Sequence, residues 1–188
     1  MSLIFDRSHC ESEFEYYIVK KLEQNGWCVG HTSGYDVDTA LYPEDVEQWI
    51  KTTQPTEWEK LVKLNQSKTL DKVLDRLASE LRSRDAIDVF KKGFSIAGCR
   101  PISMTESAPE DARNQAVIER YHANILRVVP QLRYAGDNRA IDLVFFINGI
   151  PMATVELKTE FNQAVDNATE QYRADRQPKE KNKSHWLL

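Results

Sequence analysis

Residues 141–158, IDLVFFINGIPMATVELK, most constrain how this chain can fold. Two apolar runs, rich in β-branched and aromatic residues, are joined by an Asn-Gly dipeptide, which is typical of a tight turn between antiparallel strands. Asp142, Glu156 and Lys158 are set into these runs. A charged group on a buried strand is costly to desolvate unless it is paired or bound to a metal. The hairpin therefore predicts a divalent-metal site.

The turn determines whether the three charged residues lie on one face. Side chains alternate along a strand, so Glu156 and Lys158 share a face. A strict two-residue turn would set Asp142 opposite Val155 and leave Glu156 on the other face. An odd-length loop, or a bulge with Gly149 in the left-handed conformation, would put Asp142 opposite or diagonal to Glu156. We therefore predict an odd-length loop or a bulge.

Length and composition are those of a water-soluble domain. A chain of 188 residues with 41% hydrophobic and 29% charged residues can bury a substantial core. We expect no membrane segment, because the apolar run 143–147 is far shorter than the roughly 20 residues needed to cross a bilayer. The widely separated Cys10, Cys28 and Cys99 form no CxxC pair, which favours reduced thiols in a cytoplasmic protein.

Charge argues against an autonomous, high-affinity nucleic-acid binder, because the net charge is −4. From Arg120 onward, ten Lys and Arg stand against eight Asp and Glu, so the basic groups gather on the half that holds the hairpin. This fits weak contact with a phosphate backbone, although a solvated surface would look the same. No GxxxxGK[ST] sequence occurs, so we expect no ATP site in this chain.

The rest of the chain reads as helices and short strands around the hairpin. Helical spacing and caps predict helices at about 11–25, within 43–93, at 109–122 and at 162–176, with strands at 27–29, within 94–104 and at 124–134. Pro130 suggests an edge or a bulge in the strand before the hairpin. Glu15 lies at the margin of the apolar stripe of the first helix, where a solvated residue is the simpler interpretation.

The hairpin residues suit hydrolysis of a phosphodiester. Mg²⁺ binds a few carboxylate oxygens and keeps several waters, which matches Asp142 and Glu156 on adjacent strands. Lys158 can orient or help deprotonate the attacking water, and the carbonyl of Leu157 is a further candidate ligand. The alternative is an Asp142 cap with a surface pair between Glu156 and Lys158 on an edge strand.

The motif and its neighbours resemble a known family. Asp142, the Glu156-Leu157-Lys158 triplet and the glutamine-bearing helix that follows resemble the PD-(D/E)xK nuclease motif, with Ile141 in place of the proline. The segments that carry a wider likeness are GYDVDTALYPEDVEQWIKTTQPTEWEKL, LDRLASELRSRDAIDVFKKG, NILRVVPQLRY and QYRADRQP. Together they resemble the N-terminal domain of the restriction subunit of type I restriction-modification enzymes, over nearly the whole chain.

This resemblance implies an α/β fold: a restriction-endonuclease-like core with a mixed central sheet, flanking helices and a helical insertion. It implies one domain over 1–188, with the insertion at about 43–93 and the hairpin core at about 124–177. We expect the chain to be a fragment of a larger subunit.

The implied function is that of a Mg²⁺-dependent endonuclease domain that cuts double-stranded DNA after ATP-driven translocation by motor domains of the same polypeptide. Methylation and specificity subunits would complete the complex, and ATP and S-adenosylmethionine would be used by those other parts. Two alternatives stay open. One is a non-catalytic docking or DNA-binding module with a nuclease-like fold, and the other is a stand-alone repair nuclease.

The resemblance also assigns roles to residues. It makes Asp142 and Glu156 metal ligands, Lys158 the catalytic lysine, and Glu15 the first-helix glutamate that similar nucleases direct at the metal. The carbonyl of Leu157 is a further candidate ligand on the geometry of the triplet, not through the resemblance.

Gln171, Tyr172 and Arg173 correspond to positions that would hold DNA. The tyrosine expected four residues after the glutamine is replaced by Asp175, so a plain helix-surface role is the alternative for these three residues.

Overall fold

The computed structural model describes residues 7–111, 113–134 and 139–158, with side chains from residue 11 onward. The helices are α1 (Arg7–Gln24), α2 (Pro43–Thr53), α3 (Pro55–Asn65), α4 (Thr69–Ser83), α5 (Ala86–Lys92) and α6 (Gln115–His122). The strands are β1 (Cys28–Val29), β2 (Leu126–Arg133), β3 (Ala140–Ile147) and β4 (Ile150–Val155).

The four strands form one mixed sheet in the order β1-β2-β3-β4. β1 runs parallel to β2, whereas β2 with β3 and β3 with β4 are antiparallel. Helix α1 contacts β1 and β2. A mixed sheet with flanking helices confirms the predicted α/β class and is consistent with a restriction-endonuclease-like core.

Apolar stripes on the helices build most of the interior. A first cluster joins α2, α3 and α4 to the segment after α5, and its fully buried members include Trp49, Leu61, Leu77 and Met104. The indole of Trp49 also donates a hydrogen bond to the carbonyl of Ser103 (2.8 Å). A second cluster lies on the sheet. The helices predicted within 43–93 therefore serve as packing surfaces for the sheet and for one another.

Two predicted elements differ from the structure. Helix α6 begins at Gln115 rather than at Pro109, because the side chain of Asn114 accepts a hydrogen bond from the N–H of Val117 (3.3 Å) and caps the helix there. Upstream, Asp111 accepts from the N–H of Arg113 (2.9 Å), which makes a local turn instead of a helix. The stretch 94–104, predicted to hold one or two short interrupted strands, forms an isolated bridge between Phe94 and Ile102.

Within the part of the chain that the structure describes, no helix has both the length and the apolar character that crossing a membrane requires.

Candidate active site

The hairpin combines a tight turn with a bulge. Ile147 pairs directly with Ile150, so the connection is a strict two-residue turn, and its residues Asn148 (φ +49°) and Gly149 (φ +83°) are left-handed. The register then shifts in β4: Phe146 pairs with Pro151 and Phe145 with Ala153, which leaves Met152 as the extra residue. The predicted bulge is present, in the strand rather than at the turn.

The bulge shifts the register in the direction that a shared face for the two hairpin carboxylates requires. Beyond it, the ladder ends at the pair Leu143 and Val155. One further step in the same register would set Asp142 opposite Glu156, and opposite residues of an antiparallel pair lie on one face. A hairpin with the same turn and no bulge would instead set Asp142 opposite Val155.

Asp142 is fixed against the Glu-Leu-Lys triplet by its own side chain. Its Oδ2 accepts a hydrogen bond from the N–H of Leu157 (2.6 Å), immediately after the last ladder pair of the hairpin. The carboxylate thus replaces a backbone acceptor where β4 ends. Asp142 is half-buried and Lys158 is exposed.

Gln131 lies at the centre of the site, although the sequence analysis did not single it out. The register of β2 with β3 runs through Pro130–Leu143 and Leu132–Ile141, which puts Gln131 opposite Asp142. Its Nε2 donates hydrogen bonds to Asp142 Oδ1 (3.3 Å) and to Glu15 Oε2. One side-chain amide therefore connects α1 to β3.

One feature of the sequence, Pro130, pointed toward this stretch of β2. Pro130 cannot donate a ladder hydrogen bond, and within the described residues β1 pairs with β2 only at Arg127 and Val128, before this stretch begins. The irregularity expected at Pro130 appears one residue later, as the left-handed backbone of Gln131 (φ +49°). The contact of Gln131 with Glu15 depends on how α1 packs on the sheet, which the helical periodicity of the sequence does not predict.

Glu15 is brought to the site by helix α1. Partial burial raises the pKa of the Glu15 carboxyl, the hydrogen bond from Gln131 acts in the opposite direction, and the negative charge of Asp142 raises the pKa further. Both carboxylates accept from the same amide nitrogen, so they are close enough to repel each other. The first-helix glutamate is thus beside the hairpin, and its role as a metal ligand stays a prediction.

Among the described residues, the predicted site residues do not form a complete metal-binding cluster. Across residues 7–111, 113–134 and 139–158, no group of three or more His, Cys, Asp or Glu side chains is arranged to hold one metal ion. The structure joins Glu15 to Asp142 through Gln131, and Glu156 follows the last ladder residue of β4, Val155. Gln171, Tyr172 and Arg173 lie outside the described residues.

The donors that are present fit a hard divalent cation. Mg²⁺ is commonly bound through one or two carboxylates and keeps several waters, so a complete protein cage is not required. Glu15 and Asp142 come from different elements and both direct an oxygen at the same N–H₂ group. A point approached by two carboxylate oxygens is electrostatically favourable for a cation.

Fold and site define the class, and comparison with known families defines the group within it. The mixed sheet, its flanking helices and the carboxylates beside the hairpin give a restriction-endonuclease-like α/β domain. The family model described as the N terminus of the type I restriction enzyme R protein matches residues 10–188, and the chain belongs to this family. Comparisons with curated proteins and with solved structures give no match.

Proposed function

We propose that this chain is the nuclease domain of a type I restriction enzyme R subunit, and that it hydrolyses phosphodiester bonds of double-stranded DNA with Mg²⁺. The observation that carries the proposal is the placement of Asp142. Its carboxylate is held by the N–H of Leu157 and shares the amide of Gln131 with Glu15. Membership of the R-protein family supports the same conclusion.

The reaction assigns a task to each hairpin residue. Water attacks phosphorus, a new P–O bond forms, and the P–O bond to the leaving strand breaks to give a phosphate monoester and an alcohol. Mg²⁺, when bound, supplies Lewis-acid polarisation and charge neutralisation at the phosphate. Asp142 and Glu156 would hold the ion, with Glu15 and the carbonyl of Leu157 as additional oxygen donors.

Lys158 is the remaining group of the triplet, and it is exposed to solvent. We propose that its ammonium group orients the attacking water and stabilises the negative charge that develops on the phosphate oxygens. Because Lys158 follows Leu157 directly, the hydrogen bond from Leu157 to Asp142 also limits where the lysine backbone can lie.

Substrate delivery would depend on other parts of the enzyme. The net charge of −4 gives the chain little general attraction for a polyanion. We propose that motor domains of the same polypeptide, with methylation and specificity subunits, bring double-stranded DNA to the site. ATP and S-adenosylmethionine would act in those parts, in a cytoplasmic complex.

The test is cleavage of plasmid DNA by the whole ATP-dependent complex carrying Asp142→Asn, Glu156→Gln or Lys158→Met. Each change should lower the cleavage rate by about 10²-fold or more while ATP hydrolysis continues, because it removes a charged group from the reaction centre. Glu44→Gln, a change to an exposed carboxylate of α2, is the matched control and should cut normally.

The alternative function is that of a docking or DNA-binding module with a nuclease-like fold. Normal cleavage by all three variants, with ATP hydrolysis intact, would support this module and rule out the nuclease.

A further inference from the structure

Gln131 is held in an unusual backbone conformation at the centre of the candidate site. Its φ of +49° lies in the left-handed region, which residues other than glycine seldom adopt. Thr32 stabilises this conformation, because its Oγ1 donates to the carbonyl of Gln131 (3.1 Å) and accepts from the N–H of Arg133 (3.4 Å). The backbone at Gln131 is therefore tied to the turn that follows β1.

The amide of Gln131 makes the contacts that a cation would make. A primary amide has two N–H donors, and here the Nε2 group donates to Glu15 Oε2 and to Asp142 Oδ1. Without a donor between them, these two carboxylates would repel each other across this point.

We propose that Gln131 is a placeholder for the divalent ion: its amide stabilises the metal-free arrangement of Glu15 and Asp142 and is displaced when the ion binds. This inference rests on the proposed function, because it deepens the same metal site. Gln131 is a positioning residue that acts through the two carboxylates. Because the amide competes with the ion, the chain should bind metal more weakly than the two carboxylates would without Gln131.

The direction of the change in Mn²⁺ affinity distinguishes a placeholder from a residue that only supports the fold. Gln131→Ala should bind Mn²⁺ on the order of tenfold more tightly than the parent chain, because hydrogen bonds to charged groups no longer compete with the ion. Its metal-free melting temperature should fall, and saturating Mn²⁺ should recover the difference. A residue that merely supported the fold would give weaker binding, or no change, when removed.

A second variant, Gln131→Lys, should change the Mn²⁺ affinity in the opposite direction. It places an ammonium group between the two carboxylates, where the ion would bind. It should melt at a higher temperature than the parent without metal and should bind Mn²⁺ at least about tenfold more weakly. This variant keeps the proposal testable even if Gln131→Ala folds poorly.

Gln66 supplies a matched control. It is also an exposed glutamine with a left-handed backbone (φ +52°), and its carbonyl accepts from Thr69 Oγ1 (2.6 Å) in the turn after α3. Gln66→Ala removes the same side chain from another position of positive φ. Its Mn²⁺ affinity should equal that of the parent.

The measurement is an electron paramagnetic resonance titration of free Mn²⁺ with the full chain, together with thermal unfolding followed by circular dichroism with and without Mn²⁺. Tighter binding by Gln131→Ala and weaker binding by Gln131→Lys support the placeholder. Unchanged or weaker binding by Gln131→Ala overturns it and leaves the proposed nuclease intact. Absence of Mn²⁺ binding by the parent chain through the millimolar range overturns the metal site itself, and the proposed function with it.

Discussion

Arg127 shows how this fold accommodates a charge in its interior. Its Nε and Nη2 donate to the two carboxylate oxygens of Asp45 at 2.7 and 2.6 Å, and its guanidinium lies 4.2 Å from the ring centroid of Tyr42. Asp45 is fully buried and Arg127 is 9% exposed. The bidentate pair ties the first turn of α2 to β2, close to the hairpin that carries the candidate site.

Removing one partner of this pair should be strongly destabilising. Asp45→Ala leaves a buried guanidinium with the more distant Glu44 at 3.7 Å, so we expect a loss of about 3 kcal/mol in the free energy of unfolding. Urea denaturation measures it. Glu44→Ala, an exposed neighbour of the same arginine, should cost under about 1 kcal/mol. Equal losses for the two variants would contradict this assignment.

Glu57 should make the stability of the fold depend on pH in the acidic range. Its carboxylate accepts hydrogen bonds from Lys60 Nζ (2.9 Å) and from the N–H of Arg100 (3.0 Å). The hydrogen bond from Lys60, and then that from the backbone of Arg100, lower the pKa of Glu57 below its usual 4.5. A lowered pKa in the folded state contributes stability above the usual pKa, and this stability is lost as the pH falls through the folded value.

Glu57→Gln should therefore melt at a lower temperature than the parent near neutral pH. The difference between the two melting temperatures should shrink as the pH is lowered from about 6.5 to about 3.5. Glu59→Gln, a change to an exposed carboxylate of the same helix, is the control and should follow the parent throughout. A difference that stays constant with pH would assign the effect of Glu57 to packing alone.

At the scale of elements, the β3–β4 turn is buried rather than exposed. Asn148 Nδ2 donates to the carbonyl of Met104 and to Asn124 Oδ1, both at 2.8 Å, and its Oδ1 accepts from the N–H of Ile125 (2.7 Å). The carbonyl of Gly149 accepts from the N–H of Tyr42 (2.9 Å). The turn is therefore a junction between the hairpin, the strand before it and the start of α2.

Gly149→Ala should destabilise the protein by about 3 kcal/mol. The backbone has φ +83°, and a Cβ would approach Val46 Cγ2 at 2.5 Å and the carbonyl oxygen of Tyr42 at 2.6 Å. Gly26 is the control for strain without crowding: its φ is +87°, and a Cβ there would meet no described atom within 4 Å.

Gly26→Ala should cost only about 1 kcal/mol, because the left-handed backbone is the sole penalty. Chemical denaturation of both variants separates the clash from the conformational strain. Equal losses would show that the turn can move away from α2 to make room.

At the scale of the whole molecule, metal binding should couple to stability. An ion that binds the folded chain alone stabilises it by about 1.4 kcal/mol when free Mg²⁺ is about ten times Kd. We expect the melting temperature to rise with Mg²⁺ and the rise to shrink in Glu156→Gln. Glu110→Gln, at an exposed position, should keep the full rise, and an identical rise in both variants would remove Glu156 from the metal set.

Much of this arrangement could be predicted from local sequence. The apolar runs around Asn148-Gly149 specify the hairpin, because two left-handed residues match the twist of the strands. The need to place Asp142 and Glu156 on one face required a bulge, since side-chain alternation has a period of two. The helices of 43–93 followed from apolar spacing. The start of α6 did not, because the side chain of Asn114 caps the helix, which therefore begins at Gln115 rather than at Pro109.

What the sequence determined alone is the set of charged groups and the strands that carry them. Tertiary structure decided where Met152 is extruded, because the energy of a bulge depends on packing along both strands. It also decided that Glu15 and Asp142 meet at Gln131, since that contact joins residues 116 positions apart in the chain. No local preference encodes such a distance. It results from the packing of α1 on the sheet, which places two carboxylates around one amide.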